Sequence, residues 1–174
     1  MSTNEVELAE RARAGDTAAF TALVERHWFR LVRVARSIVG DAEAEDVVQE
    51  ALISGWKKVG RLRKPQAVGI WLGRITIRRC LAVAARRRPM VRLAEAAEPH
   101  IEPNPGAGVD VQRMLAALAP RQRAVMHLTV VEGLSDSEIG AVLRMRPATV
   151  RAHRRRARGR LQRLWRGGTD EPAG

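Results

Sequence analysis

The chain has 174 residues and a formal net charge of +12. This length suits one medium domain or two small ones, and no apolar run approaches the roughly eighteen residues of a membrane-spanning helix. A single cysteine, Cys80, excludes an internal disulfide and a thiolate metal cluster. The N-terminus lacks the pattern of a secretory signal, so we expect a soluble cytoplasmic protein whose main partner is a polyanion.

The charges are distributed unevenly along the chain. Residues 41–50 carry five acids and no base, residues 51–93 carry twelve bases and no acid, and residues 147–166 carry eight arginines and no acid. A surface that is merely soluble intersperses the two signs. The separation predicts two surfaces for nucleic acid and one acidic surface for another partner.

Helical periods dominate the first half of the chain. Asp16 is the candidate cap of a helix over 17–39, whose apolar residues recur at three- and four-residue steps until Gly40. Asp41 is the candidate cap of a second helix, with its apolar residues on one stripe that ends at Trp56.

A basic loop over 61–66 leads into a third helix, predicted over 67–87. Its candidate core residues are Ile70, Trp71, Ile75 and Leu81. Residues 89–108 then contain many prolines and glycines and few large apolar residues, which is typical of a linker. The sequence predicts an all-α protein of two small helical domains, organised as residues 1–88, linker 89–108, residues 109–168 and tail 169–174.

The second domain carries the clearest local pattern. A helix over 121–131 ends before Gly133, and Ser135 with Glu138 has the spacing of a capping box that opens a short helix. Pro147 suits the first position of a basic helix that follows after a short turn. This order is the helix-turn-helix arrangement, in which the second helix enters the major groove of DNA.

The last predicted helix has two distinct faces. Val150, Ala157, Leu161 and Leu164 form a stripe that is expected to pack inward. Arg151, Arg155 and Arg158 share another face, where guanidinium groups suit phosphates or guanine edges. A solvated basic helix without a partner is the alternative interpretation.

Two groups of motifs resemble one known family. Asp41-Ala-Glu-Ala-Glu-Asp-Val-Val-Gln-Glu and the later Trp71-Leu-Gly-Arg-Ile resemble region two of sigma factors. Leu115-Ala-Ala-Leu-Ala-Pro, Glu132-Gly-Leu-Ser and Thr149-Val-Arg-Ala-His resemble region four. Their order, with no middle domain, is similar to the extracytoplasmic-function (ECF) group of the sigma-70 family.

The resemblance implies an RNA polymerase sigma factor that directs promoter-specific transcription initiation. It implies the polymerase core and promoter DNA as partners, and an anti-sigma factor as a further one. It implies no catalytic site, no cofactor, no metal, no small-molecule substrate and no membrane insertion. The runner-up interpretation is a stand-alone helix-turn-helix regulator, which would be expected to dimerise on a palindrome.

The resemblance also assigns residues to surfaces. The residues implied in binding the polymerase core are Asp46, Gln49, Glu50, Ile53 and Trp56. Those implied in binding the minus-ten element are Arg61, Arg63, Trp71, Arg74, Arg78 and Arg79. Those implied in binding the minus-thirty-five element are Thr149, Arg151, Ala152, His153, Arg155, Arg156 and Arg158.

Some of these assignments leave alternatives open. The acids that begin the second helix are also explained by the helix dipole. Trp71 is either a stacking face for an unstacked base or a core residue. Arg78 stands where the family usually carries Asn. Arg154 stands on the apolar stripe where Leu is usual, so its side chain is expected to reach outward or to turn to the DNA.

An enzyme is disfavoured by what the sequence lacks. Its four histidines have no metal-ligand spacing, and there is no glycine-rich phosphate loop or nucleophile motif. A membrane-surface protein would need a broad apolar face opposite its basic residues, whereas residues 147–166 offer only a narrow stripe.

Overall fold

The computed structural model describes residues 3–94 and 111–167, which form α-helices and two 3-10 turns without any strand. In chain order the helices are α1 (Thr3–Arg13), α2 (Thr17–Val39), α3 (Asp41–Trp56), α4 (Val68–Ala94), α5 (Val111–Ala116), α6 (Pro120–Val130), α7 (Asp136–Leu143) and α8 (Pro147–Gly167). The chain divides into two compact units, Met1–Val83 and Ala84–Gly174. The all-α prediction is confirmed.

The capping of α2 follows the prediction. The Asp16 carboxylate accepts the Ala19 backbone N–H at 3.0 Å and is also bound by Arg11 at 2.7 Å. These two interactions hold the pKa of the Asp16 carboxyl below its ordinary value. Gly40 ends the helix with a φ of +92°, a conformation that L side chains rarely adopt.

The prediction that Asp41 caps α3 is wrong. The helix begins at Asp41 itself, and Gly40 occupies the cap position without a side-chain hydrogen bond. One residue, Gly40, serves as the end of α2 and the start of α3, so no position remains for a polar cap. Instead, Oδ1 of Asp41 lies 3.5 Å from Nε of Arg36 on α2. The negative charge of Asp41 is still favourable at the positive end of the helix dipole.

The core of the first unit lies among α1, α2, α3 and α4. Helix α2 packs on α1 and α3, and α1 also contacts both 3-10 turns, Val59–Arg61 and Pro65–Ala67. The fully buried apolar side chains of this core include Leu23, Leu31, Ala35, Val48, Val68, Leu72 and Ile77. Leu62 and Pro65 are also buried, so the loop predicted as basic contributes two side chains to the core.

The predicted core face of α4 is wrong. Ile70, Trp71, Ile75 and Leu81 are only partly buried, whereas the buried apolar residues of α4 are Val68, Leu72, Ile77 and Cys80. A Cβ added at Gly69 would lie 2.7 Å from Cε1 of His27 on α2. The buried face of α4 therefore combines Gly69, which leaves room for the His27 ring, with larger apolar residues such as Leu72 and Ile77.

Helix α4 is longer than predicted. The helix extends to Ala94, beyond the predicted end at residue 87, and the rest of the predicted linker lies outside the described residues. The predicted tail, 169–174, lies outside them as well.

Cys80 is a buried free thiol, and burial raises its pKa to about 12. It behaves as a small apolar residue.

The second unit contains the predicted helix-turn-helix. Helix α8 packs on α6 and α7, and Val125, Leu128, Ile139, Val150 and Ala157 are fully or almost fully buried between them. The Ser135 hydroxyl accepts the Glu138 N–H at 3.3 Å, and the Glu138 carboxylate accepts the Ser135 N–H at 2.9 Å. The capping box that opens α7 is therefore confirmed.

The turn between α7 and α8 is tight. Arg144 adopts the left-handed conformation, with φ 54° and ψ 52°. The Met145 N–H donates to the Gly140 carbonyl at 2.9 Å. A Cβ added at Gly140 would lie only 2.6 Å from the Met145 carbonyl oxygen. Because glycine has no Cβ, Gly140 allows the turn to fold back onto α7.

Candidate polymerase and DNA interfaces

Helix α3 presents an acidic face to solvent. Asp46, Gln49 and Glu50 are exposed, and Ile53 is 58% exposed beside them. These four residues, here called the acidic face, are separate from the buried stripe of the same helix, as the spacing predicts. An acidic surface with one apolar side chain suits a basic partner that also offers an apolar contact.

Trp56, assigned to the same surface by the sequence, lies elsewhere. Its ring is partly buried and packs on Phe20 of α2, with the ring centroids 5.2 Å apart and the planes tilted by 52°. This geometry is a favourable aromatic pair. Trp56 thus joins α2 to the end of α3 and supports the acidic face from inside the unit.

Two residues assigned to different partners form an ion pair. Arg79 of α4 donates from Nε to the Glu50 carboxylate at 2.6 Å, and its Nη2 contacts the same oxygen. The side chains are 38% and 52% exposed. Exposed pairs of this kind contribute about 0–1 kcal/mol, so either member can exchange its partner at modest cost.

The residues assigned to the minus-ten element lie in the loop and on α4. Arg61, Arg63 and Arg78 are exposed, whereas Trp71 and Arg74 are partly buried. Trp71, Arg74 and Arg78 follow steps of three and four, which places them along one side of α4. Trp71 is only partly buried, so part of its side chain reaches solvent, and its stacking role stays a prediction.

Helix α8 presents its arginines as predicted. Arg151, Arg155 and Arg158 are exposed and line a groove of about 660 Å³, here called the recognition face, together with Ala148, Ala152, Arg154, Gly159 and Gln162. Of the other assigned residues, Thr149 and Arg156 are exposed, and Ala152 and His153 are partly buried. Within the described ranges no carboxylate lines this groove, so it suits phosphates and the acceptor edges of guanine.

Arg154 has a role that neither expectation included. Its guanidinium binds the Asp136 carboxylate through two hydrogen bonds, at 2.6 and 3.1 Å, across α7 and α8. The side chains are 25% and 19% exposed. The outward reach expected of Arg154 ends on an acid at the start of α7, beside the recognition face that Arg154 also lines.

Asp136 also bears on the recognition face. One oxygen lies 3.8 Å from Nη1 of Arg151, the first of the exposed arginines. The carboxylate therefore fixes α8 against α7 and orients the arginine next to the pair. The sequence did not single out Asp136, which lies 18 positions before Arg154 on the preceding helix of the same motif.

The described residues also bear on metal-ligand clusters and membrane-spanning helices. Across residues 3–94 and 111–167, no three His, Cys, Asp or Glu side chains are grouped to hold a metal ion. Within the same ranges, no helix has the length and apolarity needed to cross a bilayer.

The fold and these surfaces define a class of protein: an all-helical factor with a helix-turn-helix in one unit and an exposed acidic face in the other. Comparison with family models agrees. Residues 23–89 match Sigma-70 region 2, and residues 109–161 match Sigma-70 region 4. Together with the relatives described next, these matches place the chain in the sigma-70 family of RNA polymerase sigma factors, in the ECF group.

Curated relatives align over most of their length. The chain is 32% identical to the ECF RNA polymerase sigma factor SigM of Mycobacterium tuberculosis, over 92% of this chain and 84% of that protein. It is 29% identical to the ECF RNA polymerase sigma-E factor of Escherichia coli, over 87% of this chain and 88% of that protein. A stand-alone regulator has no support among these relatives.

Solved structures share the fold. CnrH, solved in complex with the cytosolic domain of CnrY, has a TM-score of 0.64 and 28% identity, over 95% of this chain and 99% of that one. RpoE of Bartonella quintana, co-crystallised with the anti-sigma factor NepR, has a TM-score of 0.64 at 23% identity, over 87% of this chain and 98% of that one. The second similarity concerns the fold alone.

Proposed function

We propose that this sigma factor divides its work between three surfaces. The acidic face of α3 binds the polymerase core, the arginines of the loop and α4 bind the minus-ten element, and the recognition face of α8 binds the minus-thirty-five element. The observation that carries the proposal is charge separation: the exposed acids of α3 and the exposed arginines of α8 lie in different compact units. Each surface therefore suits a partner of opposite charge.

The proposal includes the domain limits and the cellular setting. Region two occupies residues 1–88, the linker residues 89–108, region four residues 109–168 and the tail residues 169–174. The protein works in the cytoplasm, where polymerase and promoter DNA are, and it catalyses no reaction of its own.

An anti-sigma factor is the proposed regulator. Support comes from the ECF group and from CnrH, a relative of similar fold that was solved in complex with the cytosolic domain of CnrY. A protein that covers the acidic face would compete with polymerase for the same charges.

The decisive experiment tests assembly with polymerase. We expect Asp46→Arg combined with Glu50→Arg to weaken the complex with the core enzyme about tenfold or more, because like charges across an interface cost several kcal/mol. The measurement is co-elution and fluorescence titration with labelled core polymerase at low salt. Glu7→Arg, a charge reversal at an exposed position of α1, is the matched control and should bind as the wild type does.

Transcription separates the DNA surface from the protein surface. Arg155→Ala should lower run-off transcription from the promoter while leaving the affinity for core polymerase unchanged. Sequencing of the start sites identifies the promoter in the same assay. Equal losses of core binding and transcription would contradict the role assigned to Arg155, and failure of the wild type to bind core would contradict the whole proposal.

A further inference from the structure

A second groove lies beside the recognition face. It has a volume of about 680 Å³ and is walled by the segment from Ala116 to Pro120 on one side and by the later turns of α8 on the other. Five arginines line it, here called the arginine groove: Arg123, Arg155, Arg156, Arg160 and Arg163. Among the residues that the structure describes, no acid lines this groove. Arg160, Arg163 and Arg123 belong to none of the surfaces proposed above.

The dipole of helix α6 adds to the positive electrostatic potential that the arginines create in this groove. Helix α6 begins at Pro120 in the groove wall, has no acid in its first turn and is preceded by Ala119, which cannot neutralise the helix end with a side-chain charge. The positive end of the α6 dipole therefore opens beside the guanidinium groups. Burial lowers the pKa of the Arg123 guanidinium, which marks a cation held partly away from water, where a bound anion stabilises it.

The groove continues the recognition face. Arg155 and Gly159 line both grooves. From Arg155 to Arg163 the helix rises by about 12 Å. The arginines of the groove are therefore spread along α8 far enough to meet more than one phosphate of a DNA backbone. Guanidinium groups pair with phosphate oxygens in a planar, two-pronged geometry.

We propose that the arginine groove binds the phosphate backbone of duplex DNA next to the base pairs that the recognition face contacts. This inference rests on the proposed DNA binding by α8. Backbone phosphates are favoured over an acidic protein segment because the groove continues the recognition face through Arg155 and Gly159. Backbone phosphates need only cations and N–H groups.

The test uses the full chain and a labelled duplex of about 30 base pairs of mixed sequence. We expect Arg160→Gln with Arg163→Gln to reduce the slope of log affinity against log salt by about 1.8, or about 0.9 for each lost phosphate contact. Between about 50 and 200 mM salt, the affinity advantage of the wild type should therefore shrink about twelvefold. Fluorescence anisotropy over this salt range gives the slope.

Two control variants separate charge position from net charge and from folding. Arg13→Gln with Arg33→Gln removes the same net charge from exposed positions on α1 and α2 and should keep the wild-type slope. Arg160→Lys with Arg163→Lys keeps the cations and should restore most of the slope. Thermal unfolding of each variant, followed by circular dichroism, verifies that the helices are retained.

The outcomes either support or overturn the inference. A smaller slope in the glutamine variant, with a wild-type slope in the charge control, supports it. An unchanged slope, an equal change in the control, or no duplex binding by the wild type overturns it. If the glutamine variant kept the duplex affinity of the wild type and lost affinity only for an acidic protein, the groove would be a protein-binding site and the inference would be overturned. Binding of the same preparations to core polymerase tests the proposed function separately.

Discussion

His27 lies where three helices of the first unit meet. Its Nε2 is 3.0 Å from a carboxylate oxygen of Glu5, itself only 8% exposed, and its ring occupies the space that a Cβ at Gly69 would need. Arg30, one turn further along α2, donates to the Gly69 carbonyl at 2.5 Å. The imidazole therefore joins α1, α2 and α4 through one polar contact and one steric contact.

This environment gives His27 a measurable pH signature. Burial is the largest influence and lowers the pKa of His27, although Glu5 acts in the opposite direction. The unfolded chain therefore takes up the proton at a higher pH than the folded chain. The stabilising contribution of neutral His27 is present above the ordinary histidine pKa and is lost as the pH falls from there through the lower folded pKa.

We expect the free energy of unfolding of the wild type to fall between about pH 7 and about pH 5 by more than that of His27→Gln. The glutamine amide can still donate to Glu5 but does not titrate. Urea unfolding at both pH values, followed by the helical circular dichroism signal, measures the difference. An equal loss in the two proteins would show that another group dominates the pH response.

The sequence predicts the burial of Cys80 but not the surroundings of His27. The first depends on residue type, whereas the second depends on tertiary packing. A lone cysteine is usually a small buried residue, so its environment follows from residue type. The surroundings of His27 depend on Glu5 and Gly69, which lie 22 and 42 positions away in the sequence and are brought together only by the packing of helices. No local period contains that information.

At the scale of the element, the turn between α7 and α8 is the most constrained part of the described chain. We expect Gly140→Ala to destabilise the protein by about 1–3 kcal/mol, because the new methyl group would meet the Met145 carbonyl oxygen and the backbone must shift. Gly159→Ala is the matched control. Its Cβ would find no atom nearer than 3.8 Å, so it should stabilise α8 by about 0.5–1 kcal/mol.

Chemical unfolding of both variants decides this point. A destabilising effect at both positions, or at neither, would contradict the close contact assigned to Gly140. The same measurement in the presence of duplex DNA separates stability from binding, since Gly159 lines the recognition face and Gly140 does not.

The pair between Asp136 and Arg154 should be worth more than a surface ion pair. We expect Asp136→Asn to cost about 1–3 kcal/mol, because it weakens two charge-assisted hydrogen bonds and leaves Arg154 partly buried. A double-mutant cycle with Arg154→Leu should give a coupling energy of about 0.5–3 kcal/mol.

The control cycle uses Arg36 and Glu45, which are 3.2 Å apart but 51% and 56% exposed. Its coupling energy should be at most about 1 kcal/mol. If the two cycles give equal coupling energies, burial does not strengthen the pair, and Asp136 loses its assigned role in fixing α8.

Helices were more predictable than the faces that they bury. The bounds of α2 and α7 follow from caps and apolar periods, which are local properties of the chain. The buried face of α4 does not, because it is set by how closely α2 approaches Gly69. Helix α1 was not predicted, since its alternating Glu, Ala and Arg residues have only a weak apolar stripe.

The same distinction holds for the candidate interfaces. Exposure of the acidic face and of the α8 arginines follows from helical spacing, and the family resemblance adds the partners. The pairs Glu50–Arg79 and Asp136–Arg154 join residues of different helices. Their existence depends on the angles between helices, which residue spacing within one helix does not specify.

At the scale of the whole molecule, the proposed function assigns separate roles to the two units. Asp46 lies in the first unit and Arg155 in the second. Substitutions at distant sites without shared partners have nearly additive free energies. We therefore expect the losses of transcription caused by Asp46→Arg and Arg155→Ala to multiply in the double variant. Run-off transcription with core enzyme below saturation measures this, and a double variant no worse than the poorer single one would show that the surfaces act as one.

The link between Asp136 and Arg154 also limits how this protein can be re-engineered. The recognition helix is the part that one would first exchange to give a factor a new promoter preference. A graft of α8 alone would carry Arg154 into a scaffold without its acid and would leave a partly buried cation against an apolar wall. The transferable module is therefore α7 and α8 together, with the turn that joins them.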